Sequence, residues 1–239
     1  LALQTNQDGS YNTAVGYETL EVFEADSANH GNNTAVGYRA GRFVSTGTEN
    51  TFVGVNAGIG ITGTRLTGNG NTAIGDNAGA TLQGAAANNT ALGYLSGAAI
   101  TTGGSNTVIG ATAGDALTDG TNNTFMGIGA GGTTTSVGYS VAIGMEAMNA
   151  SNVTSGANHT IAIGTNALNA LTSASGNIAI GYETLLGHTT GARNIALGWK
   201  AMNDTDANDC PTSTDNIMIG YDAGGGTWTT NDSNWNVGI

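Results

Sequence analysis

One pattern governs what this chain can fold into: N-T-x-(aliphatic)-G returns along almost its whole length. Its glycines stand at positions 16, 37, 54, 75, 93, 110, 127, 144, 164, 181, 198, 220 and 238. The base interval is 17 residues, with insertions of one to five. An internal period of this size is the signature of a stacked repeat architecture. The residue before each glycine is aliphatic, from Val15, Val36 and Val53 to Ile219 and Val237. Two residues earlier stands Thr in the first seven units, then chiefly Val or Ile. Between these two lies usually Ala, so a short strand alternates with a period of two. The aliphatic column is expected to face a core, with the Thr column beside it or at its edge. The Ala column, interrupted by Phe52, Phe125 and Met218, is expected to form a second apolar face suited to another copy.

Three residues after the glycine comes a small residue, then Gly in seven units and Leu or Met in five. Small residue plus Gly reads as a tight bend with a crowded Cβ or a positive φ. Seventeen residues are too few for a strand, a full helix and two connections. The expected fold is therefore all-β: a parallel β-solenoid of about 12–13 coils, each pairing with its neighbours at the roughly 4.8 Å strand spacing. Residues 1–11 read as an entry segment and 12–239 as a single repeat domain, a fragment of a longer fibre. Stacking also superimposes Asn12, Asn33, Asn50, Asn71 and their successors. This column suits either an amide ladder along the axis or a simple local turn before each strand. A single coil hides little apolar area, so further burial between copies is expected.

Composition narrows the partners. The net charge is −12, and the five cations (Arg39, Arg42, Arg65, Arg193, Lys200) form no run. The electrostatic footprint for nucleic acid or an anionic membrane is missing. No apolar run approaches the roughly 18 residues of a membrane span. A lone cysteine, Cys210, gives no internal disulfide framework.

The units "NTAVGYETL", "NTAVGYRAG", "NTFVGVNAG" and "NIAIGYETL" resemble the N-T-A-x-G-Y repeats of phage tail-fibre and related bacterial fibre proteins. "SVAIGMEAM" at 140–148 is similar to the S-V-A-I-G head repeats of trimeric autotransporter adhesins. The resemblance covers Asn12 to Ile239. It implies a left-handed β-roll assembled as a homotrimer, located outside the cell on a virion or a cell surface. It further implies a structural or adhesive role in host attachment, with a host glycan or protein as partner. A bacterial surface adhesin and a self-assembling extracellular filament are the alternatives. A polysaccharide depolymerase would need paired acids at set separations; no such set and no Ser/His/Asp constellation stands out, so no enzyme activity is expected.

Three groups of side chains are candidate sites. Tyr182, Trp199 and Tyr221 follow the column glycine on successive coils, with Tyr17 and Tyr38 in the same column earlier. They read as stacked packing or as a platform for sugar rings. In "NDTDANDCPTSTD", Asp204, Asp206, Asn208 and Asp215 match calcium-loop positions 1, 3, 5 and 12. Asp209 stands where such loops carry Gly, so a solvated acidic insertion is the competing reading. No other cofactor is required. Glu183, Lys200 and Asp222 form an alternating-sign column. Glu18, Glu21 and Glu24 read as solvated surface, and His30, His159 and His188 as exposed polar residues of separate loops. Insertions at 21–31, 59–70, 149–158 and 203–215 are the expected places for variable contacts.

Overall fold

A computed structural model describes residues 1–5, 9–24, 31–150, 153–203, 212–225 and 234–239. The chain forms two compact units, Leu1–Thr121 and Asn122–Ile239. Each is a parallel β-solenoid. Among the described residues the first holds six three-residue strands: β1 (Thr13–Val15), β2 (Thr34–Val36), β3 (Thr51–Val53), β4 (Thr72–Ile74), β5 (Thr90–Leu92) and β6 (Thr107–Ile109). The second holds β7 (Thr124–Met126), β8 (Val141–Ile143), β9 (Ile161–Ile163), β10 (Ile178–Ile180), β11 (Ile195–Leu197), β12 (Ile217–Ile219) and the two-residue β13 (Val237–Gly238). Within each unit successive strands pair in parallel, like residue over like: Thr34 with Thr51, Phe52 with Ala73, Ile178 with Ile195. One turn of 3-10 helix, Ser155–Ala157, interrupts the pattern.

The column glycine makes this stacking possible. From Gly16 to Gly220 its φ lies between +127° and +140°, a region that side-chain-bearing residues rarely enter. A Cβ on Gly16, Gly37, Gly54, Gly75 or Gly93 would come within 3.0 Å of the carbonyl oxygen of the next coil's column glycine. The same holds for Gly127, Gly144, Gly164, Gly181 and Gly198 in the second unit. Conformation and clearance thus both demand glycine. The residue two further on is also left-handed, from Glu18 at +51° to Gly129 at +65°, and so is the residue four further on. These paired left-handed residues turn the chain sharply after each strand.

The core is the reverse of the sequence expectation. The buried column is the middle residue of each strand: Ala35, Phe52, Ala73 and Val108 in the first unit, and Phe125, Ala142, Ala162, Ala179 and Ala196 in the second. The aliphatic column points outward. Ile74, Leu92 and Leu197 keep 36%, 42% and 41% of their surface exposed, although like residues flank them above and below. The Thr, Val or Ile three residues before the glycine shares that outer face. Alternation separates two faces but does not say which is inside. The interior of so short a coil is already largely filled. The rest of the coil supplies Ala40, Ala57, Ala78 and Ala113 after the bend, and Val44, Leu66, Leu82, Ile100 and Leu117 beyond. What remains beside the strand fits Ala, not Ile.

Larger side chains enter where space is left for them. Phe52 packs where Gly41 and Gly58 carry no side chain: a Cβ at either would approach its ring closer than 3.0 Å. Phe125 has the same relation to Gly131. Where the bend carries Leu20, Met148, Leu168, Leu185 or Met202 instead of Gly, that side chain itself is fully buried. These five hold φ of +47° to +54°. Burial of a large apolar side chain offsets the left-handed strain of about 1–2 kcal/mol.

The asparagine column is an axial ladder. Asn50 donates from its backbone N–H (2.9 Å) and its Nδ2 (3.1 Å) to Asn33 Oδ1. Asn71 repeats this on Asn50, Asn89 on Asn71 and Asn106 on Asn89. Each Nδ2 also donates to a loop carbonyl, as Asn50 does to Gly68 and Asn89 to Gly103. In the second unit Ser140 and Thr160 occupy two coils of this column, and the ladder resumes through Asn177, Asn194, Asn216 and Asn236.

That ladder also corrects the last repeat. Asn236 hydrogen-bonds Asn216, Val237 pairs with Ile217 and Gly238 with Met218. Gly238 therefore lies in the buried middle column, two places from the glycine column to which the sequence motif assigned it, and Ile239 takes the outer aliphatic place. "N-V-G" satisfies the motif in either register; the amide ladder selects one.

Candidate interaction surface

Two surface features could engage a partner. The first is the outer strand face. In the second unit it pairs Val141 with Ile143, Ile161 with Ile163, Ile178 with Ile180, Ile195 with Leu197 and Ile217 with Ile219. In the first unit one of the two columns is Thr. The second unit's face is apolar in both columns and the first unit's in one; both are laterally regular and held by the ladder beside them. Contiguous apolar patches of this kind mark interaction sites.

The second feature is the aromatic column past the glycine bend. Tyr17 and Tyr38 stack at 5.4 Å between centroids and 8° between planes. Tyr182 and Trp199 stack at 4.3 Å and 27°. Both pairs remain open to solvent, with Tyr17 56% and Trp199 49% exposed. Tyr221, on the coil after Trp199, is almost wholly exposed. Stacked packing and an accessible platform are therefore both present.

Beside each pair lies an ion pair in the next column. Arg39 Nε is 2.8 Å from Glu18 Oε2, and Lys200 Nζ is 3.1 Å from Glu183 Oε2. The Tyr17 hydroxyl bonds Glu18, which raises the Tyr17 pKa and, with help from Arg39 and Arg42, holds the Glu18 carboxyl below its ordinary value. The Tyr182 hydroxyl and Lys200 do the same for Glu183. Glu18, Glu21 and Glu24 are thus not merely solvated: Arg42 also bonds Glu18 and Glu21, and Arg65 bonds Glu24. Sequence reading noted the aromatics but not these partners. The available signal was the interval: Arg39 and Arg42 follow Glu18 and Glu21 by 21 residues, one coil of the repeat.

Of the calcium candidates, Asp204, Asp206 and Asn208 lie outside the described residues. Asp215 is engaged elsewhere: both its oxygens accept from Arg193, at 2.6 Å and 2.7 Å. This contact depresses the Asp215 pKa. The pair follows from register, since Arg193 and Asp215 precede consecutive ladder asparagines. Among the described residues no group of three or more His, Cys, Asp or Glu side chains could hold a metal ion. The Glu183 and Lys200 members of the alternating column meet as expected.

Of the histidines, His159 is exposed as expected and stacks on Tyr139 at 5.2 Å, and His188 differs. His188 is fully buried, its Nε2 2.7 Å from the Gly191 carbonyl oxygen and 3.2 Å from Asn194 Nδ2. Burial lowers its pKa, opposed in part by the Gly191 contact. It fills the interior place that Leu171 fills one coil earlier. His30 lies outside the described residues.

Comparison of the chain with protein-family models, curated proteins and solved structures returns no match.

Proposed function

We propose that the chain is a structural and adhesive segment of a homotrimeric extracellular fibre, most simply a phage tail fibre that serves host attachment. One observation carries this reading: a regular two-column apolar face stands outward on a ladder that cannot turn it inward. A second copy of the same chain is the natural cover, because its face has the same coil spacing and the same apolar character. Burying such side chains stabilises by about 1.5–3 kcal/mol each, summed over several coils. The copy number of three and the virion location rest on the resemblance of the N-T-A-x-G-Y units to fibre repeats. The state of the surface carboxylates favours recognition over turnover: Glu18 and Glu183 are held ionised beside the exposed aromatics, whereas a general acid needs a raised pKa.

Sedimentation velocity tests the reading. The expected species is a trimer that Ile163→Asp/Ile180→Asp dissociates, since a charge on the covered face would be buried unpaired. A monodisperse monomer at concentrations up to about 100 μM overturns it.

A further inference from the structure

The aromatic and ionic features described above are one constellation built twice. "GYETL" occurs at 16–20 and again at 181–185. One coil after the first stands "GYRAG", and one coil after the second "GWKAM". Each place therefore stacks two aromatic rings, Tyr17 on Tyr38 and Tyr182 on Trp199. Each sets a carboxylate and a cation beside the rings, Glu18 with Arg39 and Glu183 with Lys200. Each ties the first tyrosine's hydroxyl to that carboxylate. Coil stacking alone does not require this coincidence: the same columns elsewhere carry Val55 with Asn56, Asp76 with Asn77 and Ile128 with Gly129.

We propose that these are two equivalent binding sites for neutral hexopyranose units of a glycan, so that one chain is bivalent. The inference rests on the host-attachment reading and names the ligand class. A pyranose ring presents an aliphatic C–H face and a rim of hydroxyls. The exposed aromatic surface takes the C–H face by dispersion contact. The carboxylate accepts from ring hydroxyls and the guanidinium or ammonium donates to them, as charge-assisted hydrogen bonds. The tyrosine–carboxylate and cation–carboxylate contacts fix these groups before the sugar arrives, which lowers the ordering cost of binding. Charge selects the class. Each site balances its charges, Glu18 and Glu21 against Arg39 and Arg42 at the first and Glu183 against Lys200 at the second, and the chain as a whole carries −12, so a polyanionic glycan is repelled. The two sites are not identical: Arg42 also reaches Glu18 in the first, and Trp199 stands in the second where the first has Tyr38. Arg39 lies over the Tyr38 ring at 4.8 Å and occupies part of its face, leaving Trp199 the larger platform and the stronger site.

The test uses the full chain with a panel of neutral gluco-, manno- and galacto-configured hexasaccharides and polygalacturonate as the anionic probe. Saturation-transfer NMR and tryptophan fluorescence read binding for wild type, Tyr38→Ala, Trp199→Ala and the double variant, with melting curves to confirm folding. At least one neutral member is expected to bind with a Kd near about 1 mM per site. Trp199→Ala should weaken it about tenfold, Tyr38→Ala less, and the double variant should not bind. On a surface densely coated with that sugar, either single variant should lose on the order of 10²-fold in avidity. Failure of every neutral member to bind, wild-type binding by the double variant, or preference for polygalacturonate overturns the proposal. Sedimentation of the same samples separates the two readings: a trimer that binds no sugar sinks only the sugar sites, and a monomer that binds sugar sinks only the fibre.

Discussion

The two units share one backbone and a buried column made mainly of Ala, and differ in several other side-chain columns. The first carries Thr13, Thr34, Thr51, Thr72, Thr90 and Thr107 on its outer strand face; the second carries Val141, Ile161, Ile178, Ile195 and Ile217 there. The first runs its asparagine ladder unbroken from Asn12 to Asn106, while the second inserts Ser140 and Thr160. Past the bend, the first fills its interior with Phe23, Val44, Leu66, Leu82, Ile100 and Leu117; the second keeps Leu171 but places Thr134 and His188 there as well. The second compensates with Met148, Leu168, Leu185 and Met202 at left-handed positions that the first gives mostly to glycine. The one column that is identical in residue as well as conformation is the glycine column, with its φ. The fold is therefore held by a backbone requirement, and side-chain columns drift wherever volume and hydrogen bonds can be made up nearby.

If that is right, the largest effects come from the invariant column and are equal in the two units. Gly75→Ala and Gly164→Ala each force a Cβ onto the carbonyl of the next coil, Gly93 and Gly181 respectively, at a φ above +130°. Strain and overpacking together should cost about 3–5 kcal/mol in either unit, read by chemical denaturation. A mild effect in one unit would mean that its coils can separate, and the shared backbone would no longer explain the shared fold.

Legibility in the sequence follows the same division. The coil length, the parallel register and the bend were readable because each is a local demand that recurs, above all for glycine. The side of the strand that turns inward was not. That choice depends on volume delivered by residues such as Leu82 and Ile100, which stand seven residues after the column glycines Gly75 and Gly93; the period marks their place, but only the closed coil shows that they fill the space beside the strand. His188 was missed for a similar reason: its type suggests exposure, and only its place 17 residues after Leu171 points to the interior. Tyr182 and Trp199 were readable as a stack, since coil register brings them together. Their ionic partners needed the columns to be read two at a time.

The ladder should show an intermediate effect that differs between units. Asn71→Ala removes the acceptor of the Asn89 backbone N–H and Nδ2. The N–H is left buried without its partner, at a cost of about 2–3 kcal/mol. Ser140→Ala also strands a buried N–H, that of Thr160, but should cost less, about 1–2 kcal/mol, because Ser140 Oγ accepts one hydrogen bond from the next coil where Asn71 Oδ1 accepts two. Ser140→Asn would restore the first unit's pattern and should be neutral or stabilising. Equal losses from Asn71→Ala and Ser140→Ala would show that the amide ladder adds nothing beyond a single bond.

The smallest effect appears only when pH is varied, and it belongs to the second unit. His188 is buried, and the carbonyl of Gly191 can only accept, so Nε2 carries the ring proton in that contact. Burial places the folded-state pKa below the unfolded value. Below the unfolded pKa of about 6.5 the unfolded chain binds a proton that the folded chain resists, so stability is full above that pH and falls as pH drops toward the folded pKa. The slope contributed by one group is at most about 1.4 kcal/mol per pH unit. His188→Leu copies Leu171 of the preceding coil and the apolar interior of the first unit. Melting curves of wild type and His188→Leu should converge near pH 7.5 and diverge toward pH 5, with the variant the more stable in acid. Carboxylates titrate alike in both proteins, so the difference isolates the imidazole. Parallel curves across that range would mean that His188 is charged in the folded state, and that the second unit's interior tolerates a cation where the first admits only hydrocarbon.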